Sequence, residues 1–141
     1  MNSPVAHPPD APALARAVFA EIAEALARLA ATDEETLIDL RSLPLSPDDL
    51  VRLAEWLGQG EVTCELDVAG RSEVRETGFS GVWWIRHYGA DDAVAVEEIA
   101  VTRVPEILAS HPDDVARAAR RMADTVLEPV PPADEEEPSR G

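Results

Sequence analysis

The sequence predicts an α+β domain: an antiparallel sheet of about four strands, a meander, packed by two to three helices. Three observations carry this. Residues Glu61–Val68 alternate strictly, with Val62, Cys64, Leu66 and Val68 on one side and Glu61, Thr63, Glu65 and Asp67 on the other, the mark of a half-buried antiparallel strand. Turn signals at Ala69-Gly70, Gly78–Gly81 and Gly89–Asp92 follow at hairpin distances. Apolar residues recur at helical spacing before and after this region. Runs of strands flanked by helices place the helices over one face of the sheet.

The elements follow in order. Residues 1–11, with several prolines and no periodicity, read as a disordered lead-in. A helix over Pro12–Ala31 carries the stripe Leu14, Val18, Ile22, Leu26 and Leu29, with Glu24 and Arg28 spaced for an outer ion pair. That stripe suits docking on the domain or pairing with a second copy, so a homodimer is one expectation. Glu35–Leu43 reads as a strand ended by Pro44. Ser46, Pro47 and Asp49 then form a helix start with a capping-box arrangement. Leu50, Leu53, Ala54 and Leu57 face inward on this helix, and Gly58 and Gly60 end it.

After Glu61–Val68 the chain returns over Arg71–Thr77, then runs through strands at Val82–Tyr88 and Ala93–Thr102. In the last strand Glu97 shares a face with Ile99 and Val101, a conflict that calls for a bulge or a shifted register. A short turn at Pro105–Ala109 precedes a helix that starts at His111–Asp114 and bears Val115, Ala119, Met122 and Val126. Residues 128–141, rich in proline and acid, read as a disordered tail. Residues 12–127 are thus expected to form one domain.

Charge narrows the function. Lys and Arg number 12 against 28 Asp and Glu, a net of −16 in 141 residues. Nucleic acid and anionic membranes both demand a basic surface and are not expected as partners; a basic protein partner is compatible. With one cysteine no internal disulfide forms. No secretion signal or apolar span stands out, so the cytoplasm is the expected location.

A search for chemistry finds little. Among the histidines only His87 falls on a strand, and Cys64 sits on an apolar strand face where a thiol is usually inert. No metal set, phosphate loop or acid–base pair emerges, so no catalytic residue, metal or cofactor is expected and the chain reads as a non-enzyme. The segment Glu76–Trp84 is the exception in richness, holding Phe79, Trp83 and Trp84. Adjacent strand residues point to opposite faces. With Trp83 and Ile85 placed in the core, Trp84 and its face-mate Arg86 become the expected partner contact; the opposite assignment, with Trp83 outward, stays open. Glu76 has two readings: it receives a cationic side chain beside the aromatics, or it satisfies backbone donors of the bend. Glu61 joins it from the wet strand face. The candidate partner-binding set is therefore Glu61, Glu76, Phe79, Trp83, Trp84 and Arg86.

Four pieces stand in order: Ile38-Asp39-Leu40-Arg41-Ser42-Leu43-Pro44-Leu45, Leu57-Gly58-Gln59-Gly60-Glu61-Val62, Glu76-Thr77-Gly78-Phe79-Ser80-Gly81-Val82-Trp83 and Ile99-Ala100-Val101-Thr102-Arg103-Val104-Pro105-Glu106-Ile107-Leu108. Together, over about residues 35–127, they resemble the C-terminal domain of hydrogenase expression/formation proteins of the HupH/HyaF type. The resemblance implies an accessory chaperone in nickel–iron hydrogenase maturation. It implies as partners the iron–sulfur small-subunit precursor, before assembly, or other maturation factors. It implies no enzymatic activity. The alternative is a small self-associating or effector-binding module.

Overall fold

The computed structural model describes residues 13–67 and 69–128. The expected lead-in, Val68 and the tail beyond Glu128 lie outside the described residues. The chain divides into two compact units, one ending at Pro105 and one starting at Glu106.

The first unit holds α1 (Ala13–Thr32), β1 (Thr36–Asp39), α2 (Pro47–Leu57), β2 (Thr63–Asp67), β3 (Arg71–Glu76), β4 (Val82–Tyr88) and β5 (Val94–Val101). Its sheet has five strands in the order β1-β5-β4-β3-β2, and each neighbouring pair is antiparallel. The run β2 to β5 is the expected meander. β1 extends the far edge beside β5, with α2 carrying the chain across between β1 and β2.

α1 buries Ala15, Val18, Ile22, Ala25 and Leu29. Their spacing makes one stripe, which packs with Leu53 and Leu57 of α2 on Val82, Trp84, Ile99 and Val101 of the sheet. The stripe is thus used inside the chain. Arg28 pairs with Glu34 at 3.5 Å, not with Glu24. α2 begins as its sequence demands: the Asp49 amide donates to Ser46 Oγ (3.1 Å) and the Ser46 amide donates to Asp49 Oδ2 (3.0 Å). Ser46→Ala should therefore cost about 1 kcal/mol in urea unfolding.

Two expectations need correction, and a third, the bulge in the last strand, is met. β1 stops at Asp39 and not Leu43, because Asp39 diverts the backbone. Its Oδ1 accepts the Arg41 amide (3.0 Å) and its carbonyl accepts the Ser42 hydroxyl (2.9 Å), which starts a 3₁₀ turn over Leu40–Ser42. In β5, His87 pairs with Val96 and Tyr88 with Val94, so Ala95 is the extra residue of a bulge. Beyond it the register is regular, and Glu97 does face the core side, 5% exposed. Finally, Trp84 is not an exposed contact. It is 2% exposed within the helix-covered core, while Trp83 on the opposite face is also buried. Alternation holds, but the sheet has burial on both faces.

Between β2 and β3, Ala69 takes φ 56 beside Gly70 at φ 118. A Cβ is unfavourable in this left-handed region except for residues such as Asn. Ala69→Asn is expected to raise stability by about 0.5–1 kcal/mol, read as a higher urea midpoint without a change in slope.

The second unit contains a 3₁₀ turn at Glu106–Leu108 and α3 (Pro112–Leu127). His111 caps α3, its Nδ1 accepting the Asp113 amide at 3.1 Å. Asp113 and Asp114 occupy the first turn, where the helix dipole favours them.

Candidate functional site

Three of the four family-like pieces, those holding Leu57–Val62, Glu76–Trp83 and Thr102, meet at one bend. The Gly60 amide donates to the Glu76 carbonyl (2.9 Å), the Glu76 amide to the Val62 carbonyl (2.9 Å), and the Gly78 amide to the Leu57 carbonyl (2.8 Å). These bonds lock the turn after α2 to the end of β3. The fit leaves no room for a side chain: a Cβ on Gly60 would lie 2.5 Å from the Thr77 carbonyl oxygen and 2.7 Å from Glu76 Oε1.

Thr77 closes the bend from inside. It is buried, its hydroxyl donates to the Val82 carbonyl (2.9 Å), and the Phe79 amide donates to its Oγ1 (3.1 Å). Gly81 takes φ 94, and its carbonyl accepts the Thr102 amide (2.9 Å). Trp83 Nε1 in turn donates to the Thr102 carbonyl (3.0 Å), and the Thr102 hydroxyl to Glu35 Oε2 (2.8 Å). Trp83 is therefore a strut between β4 and the chain leaving β5.

This scaffold holds Phe79 out at the bend, 43% exposed. Its ring meets Phe19 of α1 edge-on at 6.0 Å, and Phe19 meets Trp56 of α2 at 6.0 Å. Beneath lies an apolar pocket of about 200 Å³, lined by Phe19, Ile22, Ala23, Leu26, Leu57, Phe79 and Val82. A second hollow of about 380 Å³ adjoins the bend, lined among others by Leu26, Asp33, Glu76, Ser80 and Arg103. An apolar pocket with carboxylate-bearing ground beside it is suited to an apolar side chain and a neighbouring cation.

The candidate residues divide in three. Glu61, Glu76 and Phe79 gather at the bend. Glu76 Oε1 accepts the Glu61 amide at 3.2 Å, so it braces backbone in the turn after α2, while its side chain also lines the second hollow. Trp83 lies beneath, as a strut. Trp84 and Arg86 belong elsewhere: both donate to Glu97 Oε2 at 2.7 Å. Burial works against the Arg86 charge, but the hydrogen bond and charge of Glu97 prevail and hold the guanidinium above its ordinary range. Phe19 and Trp56 were missed, because each sits one position off its helix's apolar stripe; that bulky off-stripe placement was the available signal.

Other groups gather without forming a site. His87 Nδ1 lies 2.7 Å from Ser72 Oγ, but its Nε2 is 3.9 Å from Glu98, beyond hydrogen bonding. Cys64 is free and half-buried. Among the described residues no three His, Cys, Asp or Glu side chains group to hold a metal ion, and no helix is long and apolar enough to cross a membrane.

Residues 13–128 match the family described as HupH hydrogenase expression protein, C-terminal conserved region. Among relatives, the hydrogenase expression/formation protein HupH of Rhodobacter capsulatus is 32% identical over 94 residues, 67% of this chain and 34% of that one. HoxQ of Azotobacter vinelandii, with the same description, is 29% identical over 85 residues, 60% of this chain and 30% of that one. The chain thus spans about a third of the length of these relatives. A solved structure of the hydrogenase expression protein HupH from Thiobacillus denitrificans superposes with a TM-score of 0.75 at 44% identity, covering 80% of this chain and 94% of that one. With its whole described length matched, the chain belongs to the family of the HupH hydrogenase expression protein C-terminal conserved region.

Proposed function

We propose that this chain is a non-catalytic accessory protein of nickel–iron hydrogenase maturation. It acts in the cytoplasm and holds the iron–sulfur small-subunit precursor, or another maturation factor, at the bend Gly78–Gly81. The observation that carries this reading is Phe79, an exposed aromatic held over an apolar pocket by the hydrogen-bonded bend. Large rings fixed at the rim of a pocket are the usual anchors of protein interfaces. An apolar side chain of the partner seats against Phe79, Phe19 and Leu26. Glu61 and Glu76, in a chain of net charge −16, favour a basic neighbour beside it. The relatives' shared description as expression/formation proteins supports the pathway.

Trp83, Trp84 and Arg86 enter this proposal as supports of the bend and sheet. Titrating the precursor onto immobilised chain tests it. Phe79→Ser should weaken binding about thirtyfold, the effect of losing a hot spot worth about 2 kcal/mol. Raising salt should weaken it further, mainly by slowing association. Binding indifferent to Phe79→Ser would move the interface away from the bend.

A further inference from the structure

Glu97 has more to do than its pairing explains. A carboxylate on the apolar face of β5 is costly unless every lone pair finds a partner. Its Oε2 takes both available donors, Trp84 Nε1 and Arg86 Nε, each at 2.7 Å. No hydrogen bond to its Oε1 is found among the described residues, and Oε1 is not one of their buried polar atoms left without a partner, so this oxygen is the one at the accessible side of the group. The side chain, only 7% exposed, lines a cavity of about 210 Å³ together with Leu40, Arg41, Leu43, Leu45 and Leu50. Glu97 is thus a nine-tenths buried group with one oxygen left for whatever enters.

Arg41 supplies the complement. It belongs to the 3₁₀ turn that replaces the end of the expected first strand, and it is exposed. Its guanidinium joins no ion pair among the described residues. Glu97 and Arg86 cancel, so Arg41 leaves the cavity locally positive in an acidic chain. The net positive charge left by Arg41 disfavours a simple cation, and a simple anion on Arg41 would leave the Glu97 Oε1 acceptor unused. A ligand bearing an N–H donor next to a carboxylate satisfies both ends. The volume is below that of drug-sized sites, about 300 Å³ upward, and fits a single small residue.

We propose that this cavity binds an α-amino acid carboxylate, its N–H group on Glu97 Oε1 and its carboxylate on Arg41. The same chemistry occurs in a free amino acid and in the last residue of a polypeptide. Calorimetric titration of the full chain with L-alanine and N-acetyl-L-alanine distinguishes the two sources. L-Alaninamide, which lacks the carboxylate, and propionate, which lacks the N–H donor, serve as controls.

At least one of the first pair should bind, with both controls about tenfold weaker or more. L-Alanine alone would mean a free amino acid, and N-acetyl-L-alanine alone a chain terminus. Arg41→Ala, an exposed change that leaves the melting temperature in place, should weaken binding about tenfold, the loss of one charge-assisted contact. Glu97→Gln should do the same for L-alanine. No binding by either ligand up to about 10 mM, an affinity of under 3 kcal/mol, or undiminished binding by Arg41→Ala, would overturn the proposal.

Discussion

Trp84→Ala should destabilise the chain by about 3–5 kcal/mol, the range for deleting a fully buried aromatic side chain. Trp84 is among the largest side chains of the core and shares one buried cluster with residues of α1, α2 and β5. Its loss opens a cavity and also strips Glu97 of one of two donors. A buried carboxylate with a missing partner adds to the cost. Since a domain of this size has about 5–15 kcal/mol in all, the variant should unfold at far lower urea than the parent. Trp84→Phe separates the terms. It keeps most of the volume while removing the indole N–H and a small part of the ring system, so its loss should be about 1–3 kcal/mol. Equal losses for the two variants would mean that the hydrogen bond to Glu97, and not packing, dominates.

Gly60→Ala should cost about 3 kcal/mol, the upper end of the overpacking range. The new methyl would press on the Thr77 carbonyl at 2.5 Å, and a backbone oxygen fixed in a hydrogen-bonded turn cannot swing aside. Relief requires parting the turn after α2 from the bend, which breaks the Gly60–Glu76 and Gly78–Leu57 backbone bonds. Gly78→Ala provides the comparison. Its Cβ would meet the Leu57 carbonyl at 3.1 Å, a closeness relieved by a few tenths of an ångström, so its loss should be clearly smaller. The order Gly60 then Gly78, measured by urea unfolding, checks the packing of the two motifs. The reverse order would contradict it.

These effects mark where local pattern was enough to read the fold. The α2 start was legible because Ser46, Pro47 and Asp49 encode a cap through contacts three residues apart. β2 was legible because one face is wet, so alternation showed in composition. The edge taken by β1 was not, since strand order depends on contacts such as Ile38 with Ile99, far apart in sequence. Trp84 was misjudged for the same reason. Alternation says that neighbours point apart, but not which face the helices cover. Glu97 looked like a fault of register, although the register beyond Ala95 is regular and the carboxylate sits where its parity puts it.

The bend was legible in part. Phe79, Glu76 and Glu61 lie in motifs, whereas Phe19 and Trp56 come to it from two helices and carry no mark of their own beyond bulk beside an apolar stripe. Glu76 was balanced between a partner's cation and backbone donors; the observed bond to the Glu61 amide comes from the turn after α2 and not from the bend considered.

The central claim is that the bend bearing Phe79 holds a hydrogenase small-subunit precursor. Native mass spectrometry of the full chain mixed with that precursor, with and without Phe79→Ser, tests it most directly. A stoichiometric complex that Phe79→Ser weakens about thirtyfold, in a chain that stays folded, is the predicted result. A folded chain that forms no complex, or a complex indifferent to Phe79→Ser, would contradict it.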